Sequence, residues 1–109
     1  MTISESEFER VADKELTRLR QALDDSSIEA EVELEMGILS IEFPDGAKYI
    51  VNSHRAAKQI WMAADRSAWH FDPDLSTGKW TATKSGDELW SALEGTISKK
   101  AGKPFKLAR

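Results

Sequence analysis

From Ile28 to Glu35 the chain alternates without exception. Ile28, Ala30, Val32 and Leu34 point one way, and Glu29, Glu31, Glu33 and Glu35 the other. A period of two sustained this long predicts a strand with one buried and one wet face. Before it, Phe8, Val11, Ala12, Leu16, Leu19 and Leu23 recur at spacings of three and four, the apolar stripe of an amphipathic helix. Ser4 is placed to cap that helix, Glu7 to close a capping box, and Ile3 and Phe8 to form a hydrophobic staple. The helix is expected from about Ser4 to Leu23, with Asp24-Asp25-Ser26-Ser27 as stop and loop.

After the alternating strand, Met36-Gly37 reads as a tight reversal in which Gly37 takes positive φ. Ile38 to Phe43 is a second strand, Pro44-Asp45-Gly46 a turn, and Ala47 to Asn52 a third strand. Connections this short make an antiparallel meander. Further strands are expected at Lys58–Ala64, Ala68–Asp72 and Lys79–Thr83, with 73–78 as a loop. A closing helix follows. Ser85 and Glu88 read as its capping box, and Leu89, Leu93 and Ile97 form its stripe. Lys99, Lys100 and Lys103 suit its negative end, and Gly102 and Pro104 terminate it. The order helix, six strands, helix predicts an α+β fold. It would be a two-layer α/β sandwich with a mostly antiparallel sheet and both helices on one face. The other sheet face is then open.

Composition narrows the function. The 109 residues suit one domain spanning 1–109, with 103–109 a short tail. With 40% hydrophobic and 31% charged residues, the chain is ordinary globular protein. It has no cysteine, which excludes disulfides, thiolate catalysis and sulfur-ligated zinc or clusters. No apolar run approaches a membrane span, and the first residues do not read as a targeting segment, so a cytoplasmic protein is expected. The net charge of −4 is unevenly spread. Residues 1–35 hold eleven acids and four bases, and the remainder eight acids and eleven bases. An acidic face of this kind repels nucleic acid.

Two regions are candidates for chemistry. The first is the ladder Glu29, Glu31, Glu33 and Glu35, with Asp24 and Asp25 just before it. Like charges about 6.5–7 Å apart along a strand cost stability. Hard cations held by carboxylate oxygens, or a basic partner, relieve that cost. The competing reading is a solvated face that protects an edge strand. Such a ridge would bind Fe²⁺, Mn²⁺, Co²⁺ or Ca²⁺ weakly. The second region is the open sheet face. Ile60 and Met62 alternate with Gln59, Trp61 and Ala63. Periodicity leaves the inward set open, while residue type favours Ile60 and Met62, which makes Trp61 an outward interface anchor. Trp69 and Phe71 are expected inward with His70 outward, and Trp80 and Trp90 in the core. No nucleophile elbow, phosphate loop or metal-ligand motif supports an enzyme.

Together these residues resemble the bacterial frataxin family of the CyaY type, from about Ser6 to Gly102. The likeness rests on Ser6-Glu7-Phe8, Ala12-Asp13, Leu23-Asp24-Asp25, Gly37-Ile38-Leu39, Phe43 with Asp45-Gly46, and Ile50-Val51-Asn52. Gln59-Ile60-Trp61-Met62-Ala63 is its most specific stretch, followed by His70-Phe71-Asp72, Gly78-Lys79-Trp80, Ser85-Gly86 and Leu89-Trp90. The resemblance implies a regulator or iron donor of iron–sulfur cluster assembly rather than an enzyme, with weak ferroxidase activity at most a side reaction. It implies weak, reversible Fe²⁺/Fe³⁺ binding, with other divalent cations able to substitute. By position, Asp24, Asp25, Glu29, Glu31 and Glu33 match the family's acidic ridge, with Glu7 and Asp13 as outer members. Asn52, Gln59 and Trp61 match its partner surface, to which Glu31 and Glu33 also contribute. The implied partners are a cysteine desulfurase and its scaffold protein, with no nucleic acid or membrane. A monomer is expected, with metal-driven oligomers as a further state. The alternative is a pure protein-interaction module with incidental metal binding. Two departures stand out. Arg18, Arg20 and Gln21 replace acids late in the first helix, and Asn52-Ser53-His54-Arg55-Ala56 lacks the Gln and Pro of the family's loop.

Overall fold

Ser4 caps the first helix as its sequence suggests: its Oγ accepts the Glu7 amide at 3.1 Å. Only half of the capping box forms, because the Glu7 carboxylate turns to Arg10 at 3.7 Å. The computed structural model describes residues 3–108, and in it α1 spans Glu5–Asp25. Ile3 and Phe8 are both buried in the same core. The expected loop at Asp24-Asp25 is corrected. Arg20 pairs with Asp24 at 3.3 Å and Gln21 bonds Asp25 at 3.0 Å, and these four-residue spacings carry the helix one half-turn further. Ser26 then stops it, donating its Oγ hydrogen to the Leu23 carbonyl at 2.6 Å.

The strands are β1 (Glu31–Glu35), β2 (Ile38–Glu42), β3 (Lys48–His54), β4 (Gln59–Ala64), β5 (Ser67–Asp74) and β6 (Lys79–Ala82). They form one antiparallel sheet in sequence order. β1 is shorter than its alternation. Its ladder starts at Glu31 opposite Glu42, where the chain turns off through Phe43-Pro44 and leaves residues 28–30 without a strand to pair with. The alternation itself persists there: Glu29 is exposed while Ile28 and Ala30 pack on the core. β5 runs longer than expected, because Pro73 and Asp74 pair with Trp80 and Lys79 of β6.

The last helix, α2 (Leu89–Ala101), starts differently from its sequence reading. Glu88 is itself the cap, its carboxylate accepting the Trp90 and Ser91 amides at 3.1 and 3.3 Å. Ser85 instead closes the preceding turn on Asp87. Gly102 ends the helix at φ 72°, as expected. The tail is docked rather than loose. The Phe105 amide donates to Ser98 Oγ at 2.8 Å, the Leu107 amide to Glu94 at 2.7 Å, and Leu107 is buried.

One face of the sheet presents Leu39, Ile41, Tyr49, Val51, Ile60, Met62, Phe71, Trp80 and Ala82 to the core. The helices cover it with Phe8, Leu16, Leu19 and Leu23 from α1, and Leu89, Trp90, Leu93 and Ile97 from α2. Ile60 and Met62 are thus inward, as their type suggests. Trp80 and Trp90 are core residues, and Trp69 is partly buried against the core. No described helix is long and apolar enough to cross a membrane.

Tyr49 is the only tyrosine and is fully buried. Its hydroxyl donates to Asp65 at 3.2 Å. Burial first, and the Asp65 charge second, push its pKa up to about 12. The neutral phenol is therefore favoured by folding. The stability it lends is complete below pH 10, where the unfolded phenol titrates, and is lost as pH climbs through about 12. Absorbance at 295 nm reads this one group. Native protein should show no phenolate step at pH 10, and denatured protein should.

Candidate functional site

The open face is organised by strand register. One row of paired residues runs Glu35, Ile38, Asn52, Trp61, His70 from β1 to β5. The next runs Glu33, Ser40, Ile50, Ala63, Ala68, and a third runs Glu31, Glu42, Lys48. Alternation puts these side chains on the face away from the helices. The carboxylates of β1 and the indole of Trp61 therefore share one surface. Glu35 and Trp61 lie three strands apart, about 14 Å at sheet spacing.

Trp61 is half-buried and held from three directions. The His54 ring stacks on one side, 3.8 Å between centroids and 15° from parallel. The His70 ring stacks on the other at 4.3 Å and 12°. The indole N–H donates to Gln59 Oε1 at 2.8 Å, and Gln59 passes the chain on by donating to Asp72 at 3.0 Å. His54 is fixed in turn, its Nδ1 accepting the Ala57 amide at 3.3 Å. Neighbouring Arg55 ties the loop to Glu9 of α1 at 2.7 Å, and that carboxylate raises the guanidinium pKa. The loop at 52–56 thus carries an aromatic stack and a helix tether. His54 and His70 were not among the expected partner residues. Their signal is cross-strand register, which places residues 54 and 70 beside 61 only once the pairing is known.

The acids are more dispersed. Glu29, Glu31 and Glu33 are exposed on or beside β1, and Glu31 faces the like charge of Glu42 across the ladder. Asp24 and Asp25 sit at the end of α1 but are already engaged by Arg20 and Gln21. Asp13 and Glu7 lie further back on α1. At 1.5 Å per residue Glu7 is about 25 Å from Asp24 along the helix axis, and it pairs with Arg10. Among the described residues, no three His, Asp or Glu side chains converge as a ready-made metal cage. The donors present are carboxylates, which suit hard cations such as ferric iron, accept borderline ferrous iron more weakly, and leave geometry and selectivity loose.

Known proteins place the chain. A family model for the frataxin-like domain matches residues 1–103. An iron–sulfur cluster assembly protein CyaY of Cupriavidus metallidurans is 38% identical over 104 residues, covering 92% of each chain. That of Pseudomonas fluorescens is 30% identical over 105 residues, covering 96% of each. The solved frataxin of Psychromonas ingrahamii superposes with a TM-score of 0.88 at 25% identity, over 98% of this chain and 100% of that one. Trimeric frataxin from Saccharomyces cerevisiae, solved in complex with ferrous iron, superposes with a TM-score of 0.70 at 25% identity, over 94% of this chain and 90% of that one. The open antiparallel sheet, its two covering helices and the whole-length family match leave one conclusion: this chain belongs to the frataxin-like family of CyaY proteins.

Proposed function

We propose that this protein serves iron–sulfur cluster assembly in the cytoplasm as a non-enzymatic regulator. In this reading it binds iron weakly through surface carboxylates and docks on the cysteine desulfurase and its scaffold. The observation that carries it is the common face shared by Glu31, Glu33, Glu35 and the stacked Trp61. Carboxylates steer a basic partner into contact, and a half-buried tryptophan then supplies the apolar anchor. The names of the relatives support the pathway, and the ferrous complex of the yeast protein supports iron as its cation.

Anaerobic Fe²⁺ titration followed by amide NMR tests the metal half. Broadening should concentrate on Asp24, Asp25 and the 29–33 segment, and broadening elsewhere alone would overturn that assignment. Arg20 shields Asp24 at 3.3 Å, so Arg20→Gln should tighten Fe²⁺ binding about two- to five-fold, in keeping with the worth of a surface ion pair.

A second reading has an observation of its own. Because the described acids form no converging cage, docking could proceed without metal. Desulfurase affinity measured with and without Fe²⁺ separates the two: equal affinity, and a cluster-assembly rate indifferent to iron carriage, favours a pure interaction module.

A further inference from the structure

We propose that Met36 is an apolar anchor for the partner, placed at the tip of the β1–β2 hairpin to enter a pocket bordered by lysine or arginine. The reasoning starts from a misfit between residue and place. Glu35 and Ile38 pair directly, so Met36-Gly37 is a two-residue loop. Both residues take positive φ, 50° and 78°, the signature of a type I′ turn. Such turns call for Asn or Asp followed by Gly. Gly37 obeys this rule for a second reason: a Cβ there would lie 2.6 Å from Ser53 Oγ. Met36 breaks it. An unbranched apolar residue in the left-handed region is strained and gains nothing locally.

The strain is not offset by burial. Met36 is 94% exposed, more than any other large apolar side chain described. The other non-glycine residues at positive φ have local hydrogen-bond partners: Asp65 accepts the Tyr49 hydroxyl, and the Lys58 amide donates to the Arg55 carbonyl at 3.1 Å. Met36 has neither. The turn beneath it is firm, since the Ser53 amide donates to the Gly37 carbonyl at 2.9 Å. A flexible thioether is therefore presented from a fixed base, so docking it orders the side chain but no backbone.

Its neighbours describe what it meets. Ile38, 47% exposed, follows it at the start of the row that leads through Asn52 to Trp61. Glu35 precedes it, and Glu33 lies one pleat back on the same face. Apolar contact at Met36 and Ile38, rimmed by carboxylates, is complementary to an apolar pocket rimmed by cations. This inference rests on the docking role proposed above and extends that surface to the hairpin tip.

Met36→Asn separates the two demands. It installs the preferred Asn-Gly turn, so Tm should rise by about 4 °C or more. Affinity for the desulfurase–scaffold complex should fall about ten-fold. Met36→Leu keeps an apolar side chain and should bind within about two-fold of the parent. Undiminished binding by Met36→Asn overturns the anchor while leaving the docking role standing. Loss of Tm in Met36→Asn overturns the strain argument on which the anchor rests. Absence of binding by the unmodified chain overturns both proposals.

Discussion

Trp61→Ala is expected to weaken binding to the desulfurase–scaffold complex by about 30-fold or more, without unfolding the protein. The expected size follows from the setting. A tryptophan central to an interface contributes about 2 kcal/mol or more to binding, and about 1.4 kcal/mol is ten-fold. Trp61 is also pre-organised. Two imidazoles at 3.8 and 4.3 Å and the bond to Gln59 hold its rotamer before any partner arrives, so little side-chain entropy remains to be lost. The fold should survive. Trp61 lies on the open face rather than in the core, and each lost ring contact costs only about 0.5–1.5 kcal/mol. Calorimetric titration beside a thermal melt reads both quantities. A partner affinity unchanged by Trp61→Ala would remove the open face from the docking surface. An equal loss in Gln59→Ala, which frees the indole N–H but keeps the ring, would shift the weight from the ring to its hydrogen-bond chain.

Patterns complete within one segment are legible in this sequence, and those made across strands are not. The helical stripe of α1 and the two-residue period of β1 are local patterns, each complete within one segment, and both survive in the structure. Trp61 was ambiguous on local grounds because β4 carries apolar residues on both faces. The resemblance to frataxins resolved it, and the burial of Ile60 and Met62 agrees. The His54–Trp61–His70 stack was invisible for a different reason. It joins three strands, and only register brings residues 54, 61 and 70 together. The helix start at Glu88 was missed because a carboxylate can cap as a hydroxyl does, and Ser85 offered the more familiar pattern. The extension of α1 over Asp24 and Asp25 depends on Arg20 and Gln21, which stand where the resemblance implies acids and here pair the acids that remain. That last correction bears on function, because it leaves the exposed acids of the 29–35 segment as the less encumbered part of the ridge.

The largest effect on folding is expected at Trp90. Its ring is buried between the helices, and its indole N–H donates to Glu15 at 2.7 Å, a bond that links α2 to α1 across 75 positions of sequence. Glu15 is the one buried charged residue described, and Arg18 both bonds it at 3.2 Å and lies over the Trp90 ring at 5.7 Å. Burying a carboxylate is costly unless its oxygens are met by donors, so indole and guanidinium together make the site tolerable. Trp90→Ala removes a large core ring and one of those donors. It should cost about 4 kcal/mol, much of the ~5–15 kcal/mol that holds a domain of this size. Trp90→Phe keeps most of the ring and removes the donor, and should cost about 1–3 kcal/mol. Glu15→Gln keeps an acceptor for the indole and should fall between the parent and Trp90→Phe. Urea unfolding of the three variants gives the order directly. If Trp90→Phe is as stable as the parent, the buried hydrogen bond is not what joins the helices and packing alone does so. The same series separates the core from the acidic surface. Glu15 lies on the core side of α1, away from the acids that face water, so Glu15→Gln should leave Fe²⁺ broadening at residues 29–33 unchanged, and a loss there would mean that the ridge senses the packing of the helices beneath it.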